Sequence, residues 1–392
     1  MRICFITNFI PPYRKTFYEK LCAGSGHAWL VLRGQVQGET GRPDFRGAIA
    51  APLRQLENFE RTLGPFTLRF QKGALAAARS HNPDVLVVLG MAGNLSNWLV
   101  MLWARLTGRR VLIWACGWEP QRAGSLSLGA KQVLMRMYYG LAHKCLLYST
   151  KGLDYLALNG VARGRMSVCY NGIEIDGLQA DEASILDEAR RIRLVQCEGG
   201  EFVFLYVGAL LEEKRVDLLL AAFDSVYRAL PRARLWIVGD GPDATRLQSL
   251  ARQLAPGSVR FFGRIVDGVD AYFAAADAFV LPGLGGLAFN QAMFWRTPCI
   301  GSVADGTEDD LVIEGVTGFR FRAGERESLQ SAMLEASRMP DDRRRELGEA
   351  AHRVIVERSN VDYMVRTFLH ALVELESPAN LEAGHSSSRE PR

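Results

Sequence analysis

The feature that most constrains this chain is a repeating alternation of short apolar runs, turns rich in glycine or proline, and segments with helical spacing. Arg2–Thr7 is apolar and is followed by Asn8 and the pair Pro11-Pro12, which reads as a strand and then a turn. Residues 16–22 have helical spacing, and 27–32 and 48–51 read as further strands. A helix at 74–81 leads through Asn82-Pro83-Asp84 into a strand at 85–89. Residues 98–106 are helical, 111–115 return as a strand, 131–141 form a helix and 145–148 a strand. The alternation restarts with strands at 202–207, 235–238, 259–262, 278–281 and 299–302 and helices at 216–229, 244–254, 268–276 and 287–295. Strands interleaved with helices predict parallel sheets covered on both faces.

A chain of 392 residues has the length of two ordinary domains. The charge-rich stretch 175–200 joins them, which predicts domains at 1–176 and 177–360, a closing helix at 361–377 and a polar, disordered tail at 378–392. The expected fold class is α/β, with two doubly wound, Rossmann-like parallel sheets facing a cleft. In such sheets ligands bind outside the carboxyl ends of the strands.

Seven cysteines, at 4, 22, 116, 145, 169, 197 and 299, make no C-x-x-C pair and no disulfide framework. That pattern predicts reduced thiols in the cytosol and no zinc site. The first residues turn polar too soon for a signal peptide. The apolar stretch at 98–104 is interrupted by Asn94, Asn97 and Arg105, short of the ~20 residues of a membrane span. A cytoplasmic protein is expected. Charge is unevenly placed: residues 1–176 hold 22 Lys and Arg against 10 Asp and Glu, and the remainder 25 against 33. A basic first domain fits an anionic lipid surface, reached through Arg14, Lys15, Arg109, Arg110 and Arg122. Nucleic acid is disfavoured by the acidic second half.

Several strand-ending loops carry candidate chemistry. Gly208 allows a close backbone turn, and Lys214 follows at the entrance of a helix, where both its charge and the helix end favour phosphate. Gly283, Gly285 and Gly286 precede Leu287 and another helix, an arrangement of free N–H groups that can cradle an anion. Gly283-x-Gly285-x-x-Ala288, with Asp305 downstream, also loosely fits a dinucleotide fingerprint, but too few residues follow for a complete dinucleotide fold. In the first half, Tyr13, Trp114 and Trp118 are candidate sugar-stacking faces, with packing in the core as the alternative. Arg14 and Asn94 stand in loops of the same kind.

Taken together, these blocks resemble the large family of retaining GT-B glycosyltransferases, "group 1", that includes many bacterial surface-polysaccharide enzymes. The resemblance rests on 204–208 with Lys214 and 218–223, 235–242 with Leu247, 259–264, 276–293 with Pro298, and Gly306 to Gly318. It is looser in the first half, through 11–14, 114–117 and 171–173. The chain departs from the family pattern at four places. Gly283 and Gln291 stand where two glutamates are usual, Ala209 where an arginine is frequent, and Cys116 where a histidine is frequent.

The resemblance implies a retaining, metal-independent transferase with no cofactor. It would move a sugar from a nucleotide-sugar donor to a saccharide acceptor, lipid-linked and held at a membrane, in cell-surface polysaccharide or glycolipid biosynthesis. Donor contacts are expected from Gly208, Lys214, Phe262, Arg264, Gly283, Gly285, Gly286, Leu287 and Gln291. Acceptor contacts are expected from Tyr13, Arg14, Asn94, Trp114 and Trp118, and catalytic roles from Lys214, Cys116 and Glu119. The alternatives are a non-catalytic GT-B binding subunit, suggested by Ala209, Gly283 and Gln291, and a GT-B sugar-nucleotide epimerase with Glu119 as its acid/base group.

Overall fold

The computed structural model describes residues 1–34, 47, 49, 51–63, 66–118, 128–304 and 306–376. The chain divides into two compact units, residues 1–170 with 361–392 and residues 171–360.

In the first unit the strands are β1 (Arg2–Thr7), β2 (Ala28–Gly34), β3 (Leu53–Leu63), β4 (Phe66–Lys72), β5 (Val85–Leu89), β6 (Arg110–Ala115), β7 (Lys144–Leu147) and β8 (Met166–Val168). The helices between them are α1 (Lys15–Ala23), α2 (Ala74–His81), α3 (Leu95–Leu106), α4 (Leu128–Gly140) and α5 (Thr150–Leu158). The sheet order is β4-β3-β2-β1-β5-β6-β7-β8, and all pairs are parallel except β3 with β4. The order reverses between β1 and β5, so the loops leaving those two strands flank the switch point where such sheets take ligands.

The second unit begins with α6 (Asp176–Ala180) and α7 (Glu182–Gln196). It continues with β9 (Phe202–Val207), α8 (Val216–Ala229), β10 (Ala233–Val238), α9 (Ala244–Leu254), β11 (Val259–Gly263), α10 (Val269–Ala275) and β12 (Ala278–Leu281). Then follow α11 (Ala288–Phe294), β13 (Cys299–Gly301), α12 (Glu308–Leu311), β14 (Gly318–Arg320), α13 (Arg326–Arg338) and α14 (Asp341–Arg358). Its wholly parallel sheet runs β11-β10-β9-β12-β13-β14 and reverses between β9 and β12. Both faces are covered, which is why β9 and β12 read as uninterrupted apolar runs with no alternation.

The last helix, α15 (Val361–Glu376), returns to the first unit. It and α1 cover one face of that sheet, while α2, α3, α4 and α5 cover the other. Phe368 packs edge-on to Phe17 (5.2 Å between ring centroids) and Trp114 (5.0 Å), and stacks on Phe5 (6.2 Å). Two ion pairs hold the helix in place, Lys20–Asp362 at 2.8 Å and Lys144–Glu374 at 2.7 Å.

The structure adds elements that the sequence pattern conceals. The strand expected at 48–51 is absent at Ile49 and Ala51, and Ala48 and Ala50 lie outside the described residues. Pairing begins instead at Leu53, parallel to β2, and from Glu57 onward the same strand pairs antiparallel with β4. The inward positions of β3 and β4 include the carboxamides Asn58 and Gln71, both buried, so the apolar alternation that marks a half-buried strand is missing. Helix α3 starts at Leu95, three residues before its expected start, because Asn94 is its N-cap and accepts from Ser96 N–H at 3.2 Å. Helix α11 runs 288–294, one residue shorter than expected at each end. The tail 378–392 lies outside the described residues.

Two outcomes follow from this packing. Phe368→Ala opens a cavity within an aromatic cluster and is expected to lower stability by about 3–5 kcal/mol, read by chemical unfolding. The second concerns His143, whose Nδ1 accepts the Val111 N–H at 3.0 Å and so must be unprotonated. Burial, and then Arg105, Arg110 and Arg165, push its pKa from 6.5 to about 4. Its folded form binds protons less readily than its unfolded form, so stability falls as pH drops through that window. His143→Gln is expected to flatten the decline of the urea midpoint between neutral and acid pH.

Candidate functional site

In the second unit the switch-point loops are those after β9 and β12. The β9 loop turns at Gly208 and continues into a 3-10 turn, Glu212–Lys214. Arg215, held at φ 54°, then caps α8. The β12 loop runs Pro282-Gly283-Leu284-Gly285-Gly286-Leu287 into α11. The two loops are bonded to each other. Leu284 N–H donates to Glu213 O at 3.1 Å, and the Lys214 ammonium donates to Leu284 O at 2.7 Å and Gly285 O at 2.9 Å. Four expected donor residues, Lys214, Gly283, Gly285 and Gly208, thus gather at one strand-end cluster.

Gly283 has a steric reason to be glycine. A Cβ there would stand 2.6 Å from the Lys214 carbonyl carbon and closer still to Glu213 O. The 3-10 turn occupies the space a glutamate would need, which accounts for the departure from the family pattern. Gly239 is constrained in a similar way: at φ 146° its Cβ would collide with Gly208 O. Neighbouring strand ends are stitched by Gly208 N–H to Val238 O (3.0 Å), Leu210 N–H to Asp240 O (3.0 Å) and Gly239 N–H to Gly263 O (2.8 Å).

The remaining donor candidates sit around this cluster. Phe262 is half-buried in an edge-to-face trio with Trp236 (5.7 Å) and Tyr272 (4.9 Å), so its ring supports the strand end. Arg264, just beyond it, is exposed and has no hydrogen-bond partner among the described residues. Gly286 is exposed and Leu287 half-buried. On α11 the half-buried Gln291 side chain also has no partner among the described residues. Its neighbour Asn290 is buried and donates to Asn171 O at 3.0 Å and Ser359 Oγ at 3.1 Å, binding the two ends of this unit.

Two elements here escaped the sequence reading. Asn290 is one. The other is Glu308, fully buried, whose Oε1 accepts from Gly306 N–H at 3.1 Å and from Ala304 N–H, fixing the loop after β13. A carboxylate two residues after a glycine was the only available signal. Asp305 of the dinucleotide fingerprint lies outside the described residues.

In the first unit the switch-point loops are those after β1 and β5, and a buried carboxamide network joins them. Asn94 Nδ2 donates to Asn8 Oδ1 (3.1 Å) and Gln71 Oε1 (3.0 Å). Gln71 Nε2 donates to Asn58 Oδ1 and Thr7 O, both at 3.1 Å. Asn94 is therefore a structural bond and helix cap, which corrects its expected role as an acceptor contact.

Trp114 is corrected too. It is 2% exposed, packed among Phe5, Phe17, Tyr148 and Phe368, and offers no face to a sugar. Arg14 is 6% exposed, with its guanidinium 4.4 Å from the Trp114 ring centroid and Nη1 3.5 Å from Met364 Sδ. It is not the surface charge expected of it. Tyr13, 55% exposed, and the half-buried Trp118, with Lys151 Nζ 4.2 Å from its ring centroid, remain accessible. Cys116 is half-buried just past β6, and Glu119 and Arg122 lie outside the described residues.

Restoring the usual family residue at 283 gives a direct test of this geometry. Gly283→Glu is expected to lower stability by about 1–3 kcal/mol by forcing the 3-10 turn away, read as a drop in the thermal midpoint.

Known proteins agree with the architecture. Residues 192–354 match the family of glycosyl transferases group 1. A sulfoquinovosyl transferase of Arabidopsis thaliana is 28% identical over 180 residues, 44% of this chain, and the match spans only 33% of that protein. A GDP-mannose-dependent alpha-(1-6)-phosphatidylinositol monomannoside mannosyltransferase of Mycobacterium tuberculosis is 27% identical over 332 residues, 79% of this chain and 82% of its own. The solved structure of Anabaena HepE in complex with UDP superimposes with a TM-score of 0.71 at 16% identity, covering 95% of this chain and 100% of that one. That likeness gives the fold, the GT-B pair of Rossmann-like units. The match to the group 1 glycosyl transferases lies within the second unit, and the likeness to solved structures gives the GT-B fold.

Proposed function

We propose that this glycosyltransferase takes a nucleotide-sugar donor on its second unit and transfers the sugar, with retention, to a lipid-linked saccharide acceptor at a cytoplasmic membrane face. The observation that supports this reading is the Lys214 ammonium held over the glycine loop at Leu284 and Gly285, beside the sheet's switch point. A lysine fixed beside backbone N–H groups that meet no side chain is suited to a diphosphate. Gln291 would hold the ribose by neutral hydrogen bonds, and Arg264 would face the base.

In the proposed reaction the bond from the anomeric carbon to the diphosphate oxygen breaks. A bond from that carbon to an acceptor hydroxyl oxygen forms on the same face. The hydroxyl proton passes to the departing diphosphate. Negative charge grows on the leaving oxygen, where Lys214 stabilises it without a metal. The mannosyltransferase relative is named for GDP-mannose and a phosphatidylinositol monomannoside, and this supports a lipid-linked acceptor.

The test is a thermal-shift series with UDP, GDP, ADP, TDP and CMP on the wild type and on Lys214→Ala. One diphosphate at 100 times its dissociation constant is expected to stabilise the wild type by about 2.7 kcal/mol and the variant far less. An equal shift in both would remove Lys214 from the donor site. No shift with any nucleotide would favour a binding subunit.

A further inference from the structure

Helix α3 presents four leucines to solvent, at 95, 99, 102 and 106, spaced along one outward stripe. Its opposite face, with Val100, Met101 and Ala104, is buried in the core. The stripe is strongly exposed, from 44% at Leu95 to 78% at Leu106. Neighbouring α4 repeats the pattern with exposed Val133 and Met137. The helices lie side by side, with Trp98 and Tyr138 rings 5.0 Å apart and Asn97 Nδ2 donating to Tyr138 Oη at 3.1 Å. A soluble surface seldom gathers so many large apolar side chains on adjacent helices without a partner to cover them.

The charge around them specifies that partner. Neither helix contains an acidic residue, and residues 85–153 hold eight Lys and Arg against one acidic residue, Glu119. Arg105 on α3 and Arg136 on α4 are exposed. At the end of α3, Arg105, Arg110 and Arg165 cluster around His143 and add to burial in holding its pKa below the usual value. Leucines facing outward beside arginines, with no carboxylate, match the interface of an anionic bilayer, where apolar side chains enter the acyl boundary and arginines meet headgroups. At ~1.5 Å per residue, the 12 residues of α3 are too short to cross a bilayer and suit lying in its plane. No helix among the described residues is long and apolar enough to cross a membrane.

We infer that the outward faces of α3 and α4 form the surface by which this enzyme docks on anionic lipid. The inference rests on the proposed lipid-linked acceptor and names where the protein meets its membrane. The test is flotation of the full chain with vesicles of phosphatidylcholine alone or mixed with phosphatidylglycerol. Sedimentation velocity without lipid and the diphosphate thermal shift run alongside it.

The wild type is expected to float with the mixed vesicles and not with phosphatidylcholine. Leu99→Glu with Leu102→Glu is expected to cut partitioning by about tenfold or more while leaving the diphosphate shift intact. Arg105→Gln with Arg136→Gln is expected to cost about fivefold per arginine. Failure of the wild type to float, or undiminished flotation of the leucine variant, overturns the inference. Lipid-free self-association that the leucine variant abolishes also overturns it, since a second copy would then be the occupant. Loss of the wild-type diphosphate shift with flotation retained would sink the catalytic reading and leave the docking surface standing.

Discussion

The first unit depends on a helix, α15, that follows the whole of the second unit in sequence. The first unit's sheet has two faces: of the helices between its own strands, α2 to α5 cover one, and α1 needs α15 beside it to cover the other. Phe368 closes the cluster formed by Phe5, Phe17 and Trp114, and the buried Arg14 guanidinium lies against the same indole. Everything that β1 and β6 deliver at their carboxyl ends is backed by that cluster. The switch-point loops of this unit are therefore only as well placed as α15 is well docked. A Rossmann-like sheet completed by a distant segment also makes the domain boundary in space differ from any single boundary in sequence.

The second unit reaches rigidity differently, through backbone approach. Gly239 and Gly283 let the loops after β10 and β12 each pack backbone to backbone against the loop after β9, and hydrogen bonds between adjacent strand ends lock them. Asn290 and Gln291 are consecutive on α11, so the helix that presents a free amide at the candidate donor site also fastens Asn171 and Ser359. The candidate donor contact Gln291 and the closure of the unit at Asn290 thus share one turn of helix.

Much of this was legible in the sequence because its physical cause is local. Runs such as Phe202–Val207 can only be buried strands, and glycines before a helix expose N–H groups whatever surrounds them. What was hidden depends on distant partners. Trp114 and Tyr13 look alike as strand-end aromatics, and only the arrival of Phe368 decides that one is core and the other exposed. Arg14 counted as surface charge until its aromatic surroundings were seen. The β3–β4 hairpin escaped because its inward residues are carboxamides whose burial requires Asn8 and Asn94 to be already in place.

That last network has a consequence for how the enzyme meets changing conditions. Asn8, Asn58, Gln71 and Asn94 are all amides, and none of them gains or loses a proton across the ordinary pH range. A carboxylate at any of these places would exchange an acceptor for a donor on acidification and unbutton the loops after β1 and β5. Built from amides alone, this junction is proton-silent. Acid can weaken the unit at His143, beyond the opposite end of α3, without altering the geometry in which those two loops are held.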